Sequence, residues 1–253
     1  MHIFHVHTYR CKHAENDTDE QYIQTALSLG ADKITFTDHT PFPGDSFRNR
    51  MELSQLIEYI DSLKMLQKKY ENQIEVKIGL ECEFLPSMMD FYNELKEKTD
   101  LNLLIIGQHF YEHSSLKYSF DDEKEFNTAH EFIGCGNAIV QGMKTELFSV
   151  VAHPDRIYRR CKQWTSEMAE VAEKIIKTAV ETNTILERNL SSYEKFVAKT
   201  RPSFWKNEFW DLVEDYNKTA VNKVKIIEGL DAHSSEEMIS RFKYIGRKYE
   251  TEQ

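Results

Sequence analysis

His5 and His7 stand two residues apart at the head of the chain, and Asp231 and His233 repeat that spacing near its end. Residues i and i+2 of an extended strand point to the same side, so each pair can grip one metal ion. A single His-x-His says little by itself. Between the two pairs, however, Asp38-His39, Glu81-Cys82-Glu83, Gln108-His109 and His153-Pro154-Asp155 each close or follow a short apolar run. In a chain with 10 histidines, so many run ends bearing imidazole or carboxylate are most simply explained by one polar site drawn from the whole sequence. Such mixed nitrogen and oxygen donors are the chemistry of a metal site.

The apolar runs that carry these residues read as strands at 3–7, 33–37, 75–82, 101–106, 147–152, 184–187 and 224–228. The segments between them have helical periodicity. Leu53, Leu56, Ile57, Ile60, Leu63 and Leu66 form one core-facing stripe, and Val171, Ala172, Ile175, Ile176, Ala179 and Val180 form another. Thr18 to Gln21 has the pattern of a capping box, and Ser234 to Glu237 repeats it. Strand followed by helix, about seven times over, predicts an α/β fold with a parallel sheet. A barrel is favoured over an open sheet, because it brings the C-terminal ends of all its strands to one face, where catalytic groups collect.

Composition suits that reading. With no repeat, low-complexity run or flexible linker, residues 1–253 read as a single domain. Lys and Arg total 32 against 42 for Asp and Glu, a formal net charge of -10. That sign argues against a nucleic-acid partner, since duplex binding rests on cationic contacts to phosphates. It leaves room for a locally basic pocket and a small-molecule phosphate ester. No segment has the pattern of a signal peptide or a membrane span. Cys11, Cys82, Cys135 and Cys161 are scattered without a Cys-x-x-Cys pair, so a reduced, cytoplasmic protein is expected. Nothing in the sequence fixes its oligomeric state.

Seven short motifs, in order, carry a resemblance. They are His5-x-His7, His13 within Cys-Lys-His-Ala, Thr37-Asp38-His39, Gly79-Leu80-Glu81, Gly107-Gln108-His109, His153-Pro154-Asp155 and Asp231-Ala232-His233. Together they resemble the PHP family, the polymerase and histidinol phosphatase group, and within it the stand-alone histidinol-phosphate phosphatases. The resemblance implies a distorted (β/α)7 barrel with its metal site at the C-terminal ends of the strands. It also implies ligand positions filled here by His5, His7, His13, His39, Glu81, His109, His153, Asp231 and His233. By resemblance, His5, His7, Glu81 and Asp231 would hold one ion. Glu81 would bridge to a second, completed by His109 and His153, while His13, His39 and His233 would hold a third. Such a set suits two to three ions of Zn, Mn or Fe better than Mg or Ca.

The neighbours of these motifs have roles to fill. The resemblance extends to basic residues after His-Pro-Asp and so implies a phosphate clamp, for which Arg156, Arg159 and Arg160 are candidates and Arg159 or Arg160 is preferred. A solvated charge run is the plain alternative. Glu83 is a candidate contact for a cationic part of the substrate or, equally, a support for the metal site. Asp38 and Asp155 could orient ligating imidazoles, or could serve loop hydrogen bonds instead. The role of Asn189, after the sixth strand, stays open. His2, His113 and His130 match no motif and read as surface or structural, and Cys11 and Cys82 as small buried side chains.

The reaction implied is hydrolysis of a phosphate monoester. Closely spaced cations acidify a bound water and screen the phosphoryl oxygens during in-line attack. An arginine adds bidentate contacts to the same oxygens. Asp231, His233, Arg159 and Arg160 are accordingly the catalytic candidates. L-histidinol phosphate is the first-choice substrate, which would place the protein in histidine biosynthesis. A nucleotide, phosphotyrosine or another small phosphate ester is the runner-up. A non-catalytic metal-binding or regulatory protein is the rival from another class, disfavoured by the complete ligand set.

Overall fold

The computed structural model describes residues 1–120, 128–199, 203–247 and 249, with the backbone alone at residues 45 and 128–130. In chain order the strands are β1 (His2–Val6), β2 (Lys33–His39), β3 (Glu75–Cys82), β4 (Leu103–Ile106), β5 (Glu112–Ser114), β6 (Lys117–Tyr118), β7 (Val150–Val151), β8 (Ile185–Asn189) and β9 (Ile226–Gly229). β5 and β6 form a small antiparallel hairpin, and the other seven make one parallel sheet in the order β1-β2-β3-β4-β7-β8-β9. The sheet curls until the segment after β9 meets β1. Leu230 and Ala232 donate their backbone N–H groups to the carbonyls of Phe4 and His5, and His7 donates to the carbonyl of Ala232. The nearly closed barrel is the architecture that the strand–helix alternation predicts, and the C-terminal ends of its strands share one mouth.

Around it run α1 (Asp19–Ser28), α2 (Leu56–Lys69), α3 (Met89–Lys98), α4 (Thr128–Lys144), α5 (Ser166–Glu181), α6 (Leu190–Ala198), α7 (Asn207–Thr219) and α8 (Ser235–Phe242). Their apolar faces meet the outward side chains of the strands: Ile3, Val6, Ile34, Phe36, Ile78 and Leu80 share one core with Tyr22, Ile23, Tyr59 and Leu63. Inside the barrel a separate apolar cluster of Phe4, Ile105, Val150 and Ala152 fills the lower end. The same inward columns turn polar above it. Register sets Thr37 beside Gly79 and His39 beside Glu81, Glu81 beside Ile105, and Asn189 beside Gly229.

A bulge in β1 decides which way its histidines face. Ile3 pairs with Ile34 but Val6 pairs with Phe36, so β1 carries one residue more than β2 over that stretch. His5 absorbs the difference at φ 67°. Phe4 and His5 consequently both point inward, Val6 turns out to the helix layer, and His7 turns in again. Without the bulge, His5 and His7 would share the outward side of Ile3. Re-aiming side chains at a barrel rim is a recurrent use of bulges.

Local signals fare unevenly. Thr18 and Gln21 form the expected reciprocal capping box. At the last helix Ser234 caps the Glu237 N–H, but the Glu237 carboxylate accepts from the N–H of His233 rather than that of Ser234. Ile57 departs from its predicted stripe and is exposed, and Leu53 precedes α2 in a short 3-10 turn. The β5–β6 hairpin has no counterpart in the predicted strands, since two or three residues are too few for a period to register. No described helix is long and apolar enough to cross a membrane.

Candidate metal centre

All of the residues read as ligands gather at the mouth. Glu81, at the end of β3, is the hub. Its Oε2 lies 3.4 Å from His5 Nε2, 3.5 Å from His7 Nε2 and 3.0 Å from His39 Nδ1. Its Oε1 lies 2.8 Å from His153 Nε2 and 3.7 Å from His109 Nε2. Asp231 Oδ1 is 3.4 Å from His7 Nε2. The His13 ring completes the group, with centroids 5.2 Å from His39 and 4.4 Å from His233. Potential ligand atoms within 4.8 Å of one another occur in His5, His7 and Glu81, in His39, Glu81 and His109, and in His7, His39 and His233. The first set falls within one of the expected ion groups. The other two mix members of different groups, as a compact cluster of shared donors would.

The chemistry of this donor set fits divalent metal ions. His5 Nε2, His7 Nε2, His39 Nδ1, His233 Nε2 and Glu81 Oε2 are buried without a hydrogen-bond partner. An unmet buried polar atom costs roughly 1–3 kcal/mol, so five converging at one place call for a ligand that satisfies them together. Their protonation agrees. Burial, then the charge of His233, pushes the His7 imidazole well below its ordinary range. Burial brings His233 to about 4 and, with Arg156, His109 to about 3. These rings are neutral at pH 7, the form that ligates metal. Burial alone would raise Glu81, but His39, His5 and His109 outweigh it and hold the carboxyl well below its usual range. His5 differs: burial is overridden by Glu187 and Glu81, which raise it.

Supporting groups aim the rings. His5 Nδ1 meets Glu187 Oε1 at 2.6 Å, and the other oxygen of Glu187 accepts the His153 N–H at 3.0 Å. His7 Nδ1 lies 3.4 Å from Cys11 Sγ, and His13 Nδ1 lies 2.7 Å from the Cys11 carbonyl. His109 Nδ1 meets Glu83 at 2.9 Å, and Arg50 grips the same carboxylate with both terminal nitrogens at 3.1 and 3.3 Å. The Asn189 amide donates to Asp231 Oδ2 at 3.1 Å. Each partner turns the opposite ring nitrogen or carboxylate oxygen toward the cluster. Two glycines make room: a Cβ on Gly107 would sit 1.8 Å from Glu81 Oε1, and one on Gly229 would sit 1.7 Å from Glu187 Oε1. The backbone pays as well, with His5, His153 and Asp231 at φ 67°, 35° and 48°, a conformation side-chain-bearing residues hold only where the surroundings enforce it.

A cavity of about 660 Å³ opens over the cluster, lined by His13, His39, His109, Asp231 and His233 and walled by Phe47, Phe110, Phe120, Arg48, Arg50 and Arg156. The geometry favours Arg156 over Arg159 and Arg160, the preferred candidates for a phosphate clamp. Both turn to the Glu131 carboxylate on α4, at 2.9 and 3.2 Å, and neither lines the cavity. Arg156 does. Burial and the nearby Arg159 lower its guanidinium to about 10, which still leaves it cationic at neutral pH. Glu83 borders the cavity too, but its carboxylate is committed to Arg50 and His109, so it supports the cluster rather than offering a free charge. Asp38 accepts from the backbone and hydroxyl of Thr8, and Asp155 from the Lys206 N–H and the Trp210 indole, so these bonds go to the loop after β1 and to the start of α7, not to imidazoles. His2 bonds to Thr35, His113 is exposed, and the side chain of His130 lies outside the described residues. Cys11 and Cys82 are fully buried, as expected, but Cys11 also contacts His7. Glu187 and Arg50 were not singled out by sequence. The signal for Glu187 was an acid two residues before Asn189 on an inward-facing column.

Known proteins place this geometry. The PHP domain family model matches residues 4–191, which is 188 of the 253 residues. A Deinococcus radiodurans protein named probable histidinol-phosphatase is 31% identical over 159 residues, 60% of this chain and 59% of its own length, so the chain spans about three fifths of that relative. Histidinol-phosphatase of Bacillus subtilis is 27% identical over 260 residues, covering 91% of this chain and 92% of the relative. Among solved structures, histidinol phosphate phosphatase from Lactococcus lactis, complexed with Zn, L-histidinol and phosphate, superposes with a TM-score of 0.70 at 18% identity. The match covers 97% of this chain and 93% of that one, a likeness of fold. The chain belongs to the PHP domain family.

Proposed function

We propose that the chain is a metal-dependent phosphomonoesterase that hydrolyses L-histidinol phosphate to L-histidinol and phosphate, a step of histidine biosynthesis carried out in the cytoplasm. The observation that carries the reading is the ring of converging, partnerless ligand atoms beneath a cavity that also holds the cationic Arg156. The names of the Deinococcus and Bacillus relatives support the substrate.

His5, His7, His13, His39, Glu81, His109, His153, Asp231 and His233 are the ligand set, holding two to three ions of Zn, Mn or Fe. Divalent ions held there supply an acidified water and neutralise charge on the phosphoryl oxygens. The remaining work falls to the protein. Arg156 binds the phosphoryl oxygens from the cavity wall and orients the ester for in-line attack. Asp231, fixed by Asn189, and His233, whose N–H is held by Glu237, keep the reacting end in place. Glu187 and the Arg50–Glu83 pair hold His5 and His109 at fixed angles, so little reorganisation is needed as charge develops. Residues 1–253 act as one unit in this reading: β9, beyond the family match, extends the sheet, and Asp231 and His233 just after it complete the ring.

The test is phosphate release from L-histidinol phosphate, a nucleoside monophosphate, phosphotyrosine and p-nitrophenyl phosphate by the metal-loaded protein. L-histidinol phosphate should give the highest kcat/KM. Release from none of the four would remove the phosphatase reading and favour a metal-binding protein without turnover.

A further inference from the structure

Phe47, Phe110 and Phe120 reach one cavity wall from three separate segments: the loop between β2 and α2, the exit of β4, and the stretch just after the hairpin. The Phe47 and Phe110 ring centres lie 4.8 Å apart, and those of Phe110 and Phe120 lie 5.0 Å apart. Tyr118 packs alongside, 5.0 Å from Phe47 and 5.7 Å from Phe110. Rings this close leave no slot between them and present one continuous apolar surface. Arg50 ties that surface to the metal centre. Its guanidinium carbon lies 5.3 Å from the Phe47 ring centre, while its nitrogens hold Glu83 and through it His109.

The only acids among the described lining residues are Glu83 and Asp231, and both are committed, Glu83 to Arg50 and His109, and Asp231 to the cluster and Asn189. No described carboxylate lining the cavity is therefore spare to receive an ammonium group. Beyond the reacting end, the described lining offers the aromatic surface together with Ser46, Arg48 and Asn49, none of which is anionic.

We propose that this wall selects phosphate monoesters by a flat ring lying within a few bonds of the ester oxygen, with the ring on Phe47, Phe110 and Phe120 and the phosphoryl group toward Arg156. The inference rests on the phosphatase reading and adds that the protein reads the ring, not the amine, of its substrate.

Two esters with ordinary alkyl leaving groups separate these features. Benzyl phosphate has a ring and no ammonium, and O-phosphoethanolamine has an ammonium and no ring. Metal-loaded protein should show a kcat/KM for benzyl phosphate at least about tenfold above that for O-phosphoethanolamine. Phe120→Ala, at a position 45% exposed, and Phe47→Leu, which keeps apolar volume, should each narrow that ratio about three- to tenfold, mainly through KM. Equal turnover of the two esters, or equal losses on both in the variants, overturns the proposal. Calorimetric titration of L-histidinol and of ethanolamine into the same proteins reads the wall without turnover. If no ester is hydrolysed but L-histidinol binds more tightly than ethanolamine and the variants abolish the difference, the phosphatase reading fails and the wall stands. If L-histidinol binds no more tightly than ethanolamine, the wall proposal fails whatever the activity.

Discussion

Two layers of inward side chains are stacked inside the barrel. In the lower, Phe4, Ile105, Val150 and Ala152 touch one another and are all but excluded from water. In the upper, imidazoles and carboxylates crowd together with several buried atoms unmatched. The same strands supply both, often within a few residues: Phe4 immediately precedes His5, and Ile227, which packs against the plug, lies four residues before Asp231. The lower layer stabilises the fold by ordinary burial. The upper layer is costly in desolvation and backbone strain, and it persists because the rest of the barrel outweighs it and because a ligand can satisfy its atoms. Rigidity below and frustration above are therefore parts of one design.

The upper layer is most vulnerable at its hub. Glu81→Gln keeps the shape but removes the charge that five imidazoles surround. It should cost on the order of 10³-fold in kcat/KM and more bound metal than His13→Ala, whose ring stands at the edge of the cluster. Wild-type-like turnover in the Glu81 variant would take that residue out of the site. Ile105→Ala attacks the lower layer instead. A cavity there should lower unfolding free energy by about 2–5 kcal/mol, read from the denaturant midpoint, while the folded protein keeps its metal stoichiometry. Loss of metal at unchanged stability would mean that the two layers do not divide the work as described.

Glu187→Gln sits at the boundary. It leaves a partner for His5 but not the carboxylate that raises its basicity, so metal affinity should fall about 10- to 100-fold in a chelator competition. No change would leave Glu187 a merely structural residue. The smallest effect belongs outside both layers. Arg159→Ala breaks a surface pair with Glu131, worth roughly 0–1 kcal/mol, and should leave kcat/KM within about twofold. A large loss on every ester would restore Arg159 as the phosphate clamp in place of Arg156.

How much of this was legible beforehand follows the same division. Strand ends marked by His or acid were readable because each polar residue interrupts an apolar run, so the seven sheet strands could be placed, whereas the full set of nine expected ligands, with His13, came only from the family resemblance. What supports them was not. Arg50 and Glu83 are separated by 33 residues, and their pairing exists only once the loop after β2 folds over β3. The β1 bulge leaves no mark in residue type, since nothing about His5 announces φ 67°. Arg156 could not be told from Arg159 and Arg160 without knowing that Glu131 on α4 lies within reach of the latter two.

Whether the upper layer is a metal centre on which activity depends is decided by elemental analysis of protein purified without chelator, paired with phosphate release from L-histidinol phosphate. Such protein should carry two to three ions of Zn, Mn or Fe per chain, lose turnover when chelation strips them, and recover it when they are restored. Fewer than one ion per chain in fully active protein would contradict that dependence.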